Sequence, residues 1–216
     1  FSSELWQAPS AGGYTPTTKG IFGYGNTVSP DVYVSTTNLV STSGVVAADT
    51  TGVGAGRGFR AATTYGTELC LFWGGTGSTN KVSLVSNTGV VSSESTGGGT
   101  ARYAAAATTY GTDTAIIGYG YGPGDASTTN LVSSTGAISA DVTGVGTARI
   151  NLGACAYGED KGIFAFGNNG SATSFYNVSN LISNTGVVSS DVTGVGTARG
   201  YLAACTYGGD KGIFAK

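Results

Sequence analysis

The chain has 216 residues, a formal net charge of −2, 10% charged residues, 38 Gly, no His and no Met. That composition lacks the Glu, Lys, Leu and Met expected of helical proteins, offers no clustered cationic surface for nucleic acid, and removes every mechanism that needs an imidazole. Its 40% hydrophobic content in regular β-branched runs predicts a packed core rather than a Gly/Ser linker, and no apolar run approaches the roughly 18 to 20 residues that cross a bilayer.

Phe1 to Trp6 precede the first recognisable repeat and include Ser3-Glu4-Leu5-Trp6, which predicts a single strand. With no methionine anywhere and repeats cut at both ends, the expectation is a processed product or a segment of a longer polypeptide. From Gln7, Arg57, Arg102 and Arg149 it is 18 positions to Gly25, Gly75, Gly120 and Gly167. From Leu39, Leu84, Leu131 and Leu181 it is again 18 positions to Arg57, Arg102, Arg149 and Arg199. Only the stretch between glycine and leucine varies, spanning 14, 9, 11 and 14 positions. The expected division is one domain over residues 1–216, with repeats at 7–56, 57–101, 102–148 and 149–198 and a partial copy at 199–216 completed by 1–6. A fixed frame beside a drifting loop is the pattern of a scaffold that displays variable loops, which points to recognition.

Within the fourth copy the punctuation predicts four strands. Ile150 to Tyr157 is small and apolar, Gly158-Glu159-Asp160 is a tight turn, and Lys161 to Phe166 returns as the second strand of a hairpin ending at Gly167. Beyond the loop, Ser179 to Ser183 is a third strand, Asn184-Thr185-Gly186 a turn, and Val187 to Ser190 a fourth strand. The run Ala104 to Ala107 favours helix by propensity, but it is short and stands where the other copies have strand residues, so a strand is expected there.

The cysteines Cys70, Cys155 and Cys205 show no metal-ligand spacing, and the last two share one repeat position, so free interior thiols are expected and neither metal nor cofactor. Asp49, Glu94, Asp141 and Asp191 each stand eight residues before Arg57, Arg102, Arg149 and Arg199, and these repeated pairs read as charge-assisted structural contacts at the repeat junctions. Catalysis needs an asymmetric set of groups with separated pKa values, which identical recurring pairs do not supply, so no enzyme is expected, although two-carboxylate glycoside chemistry is not excluded by sequence. Ligand-binding candidates lie in the variable loops: Asn26, Asp31, Tyr33, Asn80, Lys81, Tyr121, Asp125, Asn168, Asn169, Phe175 and Tyr176.

The order of an arginine, a small apolar strand, the turn Tyr157-Gly158-Glu159-Asp160, a strand ending in Gly167, a variable loop and a second hairpin resembles the kelch motif of β-propellers, as do the paired glycines Gly74-Gly75. That resemblance implies an all-β, kelch-like propeller of four-stranded antiparallel blades. The expected count is five blades, the last closed by both termini, with part of a six- or seven-bladed ring as the alternative and an open β-solenoid behind it. The phrase running from Asn180-Leu181-Ile182-Ser183 through Asp191 to Thr197-Ala198-Arg199 is similar to kelch-like repeats of tailed-phage virion proteins, particularly marine ones. It implies a tail fibre or other appendage at the virion surface or outside the cell, binding a host cell-surface glycan through the loops. The alternative is a structural virion protein that docks on neighbouring virion subunits; a homo-oligomer fits either reading.

Overall fold

The computed structural model describes residues 20–28 and 31–216, and among them every regular element is a β-strand. None of the described residues forms a helix long and apolar enough to cross a membrane. The strands fall into five antiparallel sheets in chain order. The first holds β1 (Gly20–Val28) and β2 (Asp31–Val40). The second holds β3 (Ala61–Tyr65), β4 (Leu69–Trp73), β5 (Lys81–Val85) and the two-residue β6 (Ser95–Thr96). The third holds β7 (Ala106–Tyr110), β8 (Thr114–Gly118) and β9 (Thr129–Val132), with an isolated bridge from Thr129 to Val142 where a fourth strand would run. The fourth repeats the pattern with β10 (Gly153–Tyr157), β11 (Lys161–Ala165), β12 (Val178–Ile182) and β13 (Val192–Thr193). The fifth is the hairpin β14 (Ala203–Tyr207) and β15 (Lys211–Ala215).

Two of the fourth sheet's strands differ from expectation by more than one residue. The paired fourth strand of the fourth sheet is Val192–Thr193, not Val187 to Ser190. The turn at Gly186 leaves Val188 only a bridge to Ile182, and Ser189 presents its hydroxyl as well as its backbone to Leu181, which interrupts the ladder before Asp191. The first strand begins at Gly153, three residues later than Ile150, because Asn151 takes φ 52°. Phe59, Ala104 and Tyr201 occupy the same repeat position with φ 54°, 53° and 57°. A left-handed kink at a non-glycine residue costs on the order of 1 kcal/mol, so its recurrence needs a compensating contact. That contact is a backbone relay: the N–H of Ala104 donates to the carbonyl of Phe59 at 3.0 Å, Asn151 to Ala104 at 3.1 Å, and Tyr201 to Asn151 at 2.9 Å.

Two more relays join the sheets. The glycines of the fixed frame donate to the carbonyl of the next arginine: Gly25 to Arg57, Gly75 to Arg102, Gly120 to Arg149 and Gly167 to Arg199, at 2.8 to 3.1 Å. Their φ values run from 100° to 120°, a region closed to most side chains, which explains why this position is glycine every time. At the opposite end of the first strands, the turn glycines Gly66, Gly111 and Gly158 donate to the carbonyls of Asp113, Asp160 and Asp210 in the following repeat.

The core lies between successive sheets. Tyr65, Leu71, Trp73 and Val82 of the second sheet pack against Ala115, Ile117 and Val132 of the third. Ile116 and Tyr119 pack in turn against Leu152, Phe164 and Ile182 of the fourth. Along the other axis β3, β7, β10 and β14 lie side by side, each touching the next. Their small central residues, such as Thr63, Thr108, Cys155 and Cys205, line a cavity of about 350 Å³ together with Gly20 and Ile21 of β1. The small Ala, Thr and Cys side chains of these strands are what their close approach demands. The expected pairing of both termini in the last sheet involves Phe1 to Trp6, which lie outside the described residues, as do Gln7 and the side chain of Asp31.

Candidate binding face

The charged groups of the repeat divide first into those held in the joints and those left at the surface. Arg102 and Arg149 are fully buried, and each guanidinium stacks on an aromatic ring of the preceding repeat, Trp73 at 5.1 Å and Tyr119 at 4.1 Å. Each donates from Nε to the carbonyl that closes its own second strand, Tyr119 at 2.9 Å and Phe166 at 2.7 Å. Each also donates from Nη2 to an asparagine of its own third strand, Asn130 at 2.5 Å and Asn180 at 2.7 Å. The acid that completes the set is Asp141 for Arg102, at 3.3 Å, and Asp191 for Arg149, at 4.0 Å.

This corrects the expected pairing. The acid does not serve the arginine eight residues ahead of it; it folds back to the arginine that opened its own repeat. Its strand runs antiparallel beside the third strand, and that direction delivers its carboxylate to Asn130 or Asn180 and to the threonine two residues before the earlier arginine, Thr100 or Thr147. Arg57 accordingly pairs with Glu94 at 3.1 Å. Asp49 accepts from Asn38 in its own sheet, and Arg199 donates to the carbonyls of Thr197 and Phe214.

The second repeat solves the same joint with other residues. Ser83 stands where the other copies have Asn38, Asn130 and Asn180, and the longer Glu94 stands where they have aspartate. Glu94 reaches both Arg57 and Arg60, and Arg60 takes over the stacking role, 4.1 Å above the Tyr24 ring.

The electrostatics follow these contacts. Burial raises the Asp141 carboxyl, but the Thr100 hydroxyl and Asn130 amide, the Thr100 backbone N–H and the Arg102 charge outweigh it and hold the group down to about 2. Asp191 and Glu94 are lowered by the same opposition between burial and hydrogen-bonded arginine or threonine partners. Burial pushes the Cys70 thiol up to about 11 and Cys155 up to about 12; all three cysteines are free. Among the described residues no group of three or more His, Cys, Asp or Glu could hold a metal ion.

Several loop candidates belong to the scaffold. The Asn80 amide donates to the carbonyls of Gly97 and Gly99, a role that Asn177 repeats towards Gly194 and Gly196. Lys81 starts β5 and donates to the Thr96 hydroxyl. Asn168 is fully buried between Asn151 and the Asn169 carbonyl, and Asn169 holds its own loop through the N–H groups of Thr173 and Ser174. Tyr176 is half-buried, its N–H donating to Gly167. Asn26 pairs with Tyr33 across the end of the first hairpin, where the Tyr33 ring lies against Gly58.

The remaining candidates converge. Tyr121 exchanges two backbone hydrogen bonds with Tyr103, their rings lie 5.4 Å apart, and Tyr103 lies 6.3 Å from Phe59. Asp125 reaches into the loop of the next repeat, accepting from the Gly170 N–H at 2.8 Å, while its other oxygen has no partner among the described residues. Across the same face, the Lys216 ammonium lies 5.6 Å from the Phe175 ring and 5.9 Å from Tyr201. Between the two aromatic groups the kinked residues Phe59, Ala104, Asn151 and Tyr201 border a recess of about 200 Å³. Phe59 and Tyr201 are 51% and 54% exposed, so their rings are available at its rim.

Sequence reasoning missed Phe59, Tyr103, Asn151, Tyr201 and Lys216, because the frame was read as scaffold throughout. A signal was present at the second position after each arginine, where the fixed frame carries Phe59, Ala104, Asn151 and Tyr201 in turn. No protein-family model matches the chain, and no curated protein matches it.

Proposed function

We propose that the protein is a non-enzymatic recognition module whose five sheets are propeller blades, and that it binds a glycan on the face bearing the variable loops. The observation that carries this reading is the recess rimmed by exposed Phe59 and Tyr201, with the tilted ring pair of Tyr103 and Tyr121 packed beside Phe59. Aromatic rings cover the apolar faces of sugars, and amides and carboxylates such as Asn151 and Asp125 bond their hydroxyls. What supports the radial arrangement is the contact of β3, β7, β10 and β14 around one cavity and the three backbone relays between repeats. What supports a non-enzymatic role is that Glu94, Asp141 and Asp191 are lowered and held by arginine, whereas a general acid needs a raised carboxyl.

What supports a virion surface as its setting is the resemblance to tailed-phage repeats, and on that reading the ligand is a bacterial or algal surface glycan. The test is an array of bacterial and algal surface glycans probed with the chain and with Phe59→Ala, Tyr121→Ala and Tyr201→Ala. Selective binding that these substitutions abolish is the expected result. Absence of binding by a folded chain overturns the reading in favour of a structural virion protein.

A further inference from the structure

The variable loop of the fourth repeat holds a reactive pair. Of the chain's asparagines, Asn169 alone is followed by glycine. In that pair the Gly170 nitrogen and the Asn169 Cγ are the two ends of a five-membered ring not yet closed, and glycine has no Cβ to obstruct the closure.

The fold adds a group to each atom that the closure involves. The Gly170 N–H donates to Asp125 Oδ2 at 2.8 Å, so the attacking nitrogen lies against a carboxylate from the preceding repeat. The Asn169 Oδ1 accepts from the backbone N–H groups of Thr173 at 2.9 Å and Ser174 at 3.1 Å, two donors on the carbonyl that is attacked, as in an oxyanion hole. The leaving nitrogen, Asn169 Nδ2, donates to the Thr173 hydroxyl at 2.9 Å. The other Asp125 oxygen is buried and has no hydrogen-bond partner among the described residues, so the carboxylate is not drawn away from Gly170. Backbone bonds fix the loop around the pair: Asn169 donates to the Ser174 carbonyl at 3.0 Å, and Ala172 to the Asn169 carbonyl at 2.8 Å. Gly170 is exposed, so water reaches the pair.

We infer that Asn169 is a self-modification site, converted with the help of Gly170 and Asp125 into aspartate or isoaspartate. The Gly170 nitrogen attacks Cγ and gives its proton to Asp125; a nitrogen–carbon bond forms and the Cγ–Nδ2 bond breaks. Nδ2 leaves as ammonia, taking up one proton in place of the one that Asp125 received, and the chain is left with a succinimide. Water then opens that ring, giving aspartate by attack at Cγ or isoaspartate by attack at the main-chain carbonyl. Either product replaces the amide that donated to Thr173 with a negative charge, one residue from the N–H that holds Asp125. Isoaspartate also lengthens the main chain by one carbon, so the loop carrying Phe175 and Tyr176 is remodelled as the protein ages. This inference rests on the geometry of one loop and does not depend on the glycan reading.

The experiment incubates the full 216-residue chain, with a synthetic peptide of residues 165–175 as the unfolded reference, in neutral to mildly alkaline buffer. Conversion at position 169 is read by mass spectrometry of proteolytic fragments, and isoaspartate by enzymatic methylation. The chain is expected to convert about tenfold or more faster than the peptide. In the peptide the rate should climb with hydroxide concentration; in the folded chain it should depend on pH less steeply, because Asp125 supplies the base. Asp125→Asn should slow conversion about tenfold or more and restore the steep dependence, its urea midpoint showing that the variant is folded. The comparison of chain with peptide needs no variant, so it stands even where the variant unfolds. A rate in the folded chain equal to or below that of the peptide overturns the inference, as does a folded Asp125→Asn variant that converts as fast as the parent.

Discussion

The guanidinium carbon of Arg149 lies 4.1 Å from the centroid of the Tyr119 ring, and the two residues belong to successive repeats. The arginine is buried, so its charge is balanced by the ring face of the preceding sheet and by Asn180 and Asp191 of its own. One residue type thereby fastens two sheets together and closes a third strand onto the second.

Removing that cation leaves acceptors with nothing to bond. Arg149→Ala is expected to destabilise the chain by roughly 3 to 5 kcal/mol, and Arg102→Ala by a similar amount, measured as a lower urea midpoint. Asp49→Ala, whose carboxylate meets Asn38 at an exposed position, should cost less than about 1 kcal/mol. Equal effects at Arg149 and Asp49 would refute the joint.

The second repeat supplies an internal control. Ser83→Asn and Glu94→Asp each break the match between its residues, whereas the double variant restores the asparagine and aspartate used by Arg102 and Arg149. A double-mutant cycle should show favourable coupling on the order of 0.5 to 2 kcal/mol. Strict additivity would mean that the two substitutions do not compensate one another.

Gly120 has φ 100°, and a Cβ there would stand 2.8 Å from the Tyr103 carbonyl and 3.0 Å from the Ala105 side chain. Gly120→Ala should therefore destabilise by about 2 kcal/mol or more, through strain and the collision together. Gly77→Ala has open space around its Cβ and pays only for its φ of 84°, so it should cost less.

Acid should unfold the chain through its joints. The folded Asp141 carboxyl lies at about 2, below its ordinary 3.8, so its contribution is fully present above about pH 4 and disappears as pH falls towards 2. Asp191 and Glu94 are lowered in the same direction and add to the same loss. Stability measured between pH 7 and pH 2 should decline below about pH 4, and Asp141→Asn should flatten that decline. An unchanged slope in the variant would remove Asp141 from the account.

The thiols should resist alkylation. With Cys70 near 11 and Cys155 near 12, the thiolate fraction at pH 8 is on the order of a thousandth or less. Mass spectrometry after brief iodoacetamide treatment should find both cysteines largely unmodified in the folded chain and labelled in urea. Rapid labelling of Cys155 without denaturant would contradict its packing against Gly212.

The strands, their hairpins and the fixed 18-residue frame were legible in the sequence because each rests on neighbours in the chain: alternating small and branched residues, turn glycines, and a glycine whose φ admits no side chain. The fourth strand was misplaced because a serine hydroxyl at Ser189 replaces part of the ladder, which alternation does not reveal. Tertiary structure alone decided the rest. Asp141 stands eight residues before Arg149 yet bonds Arg102, because the returning strand carries it back to where its repeat began. Asn80 and Asn168 looked like free loop amides until the Gly97 and Gly99 carbonyls came beside the first and the Asn151 amide beside the second from elsewhere in the fold. Phe59 and Tyr201 read as scaffold until kinks in separate repeats turned them to one recess. Local pattern specifies local geometry; partners tens of residues apart are chosen by the packing of whole sheets, and no short stretch of sequence contains that choice.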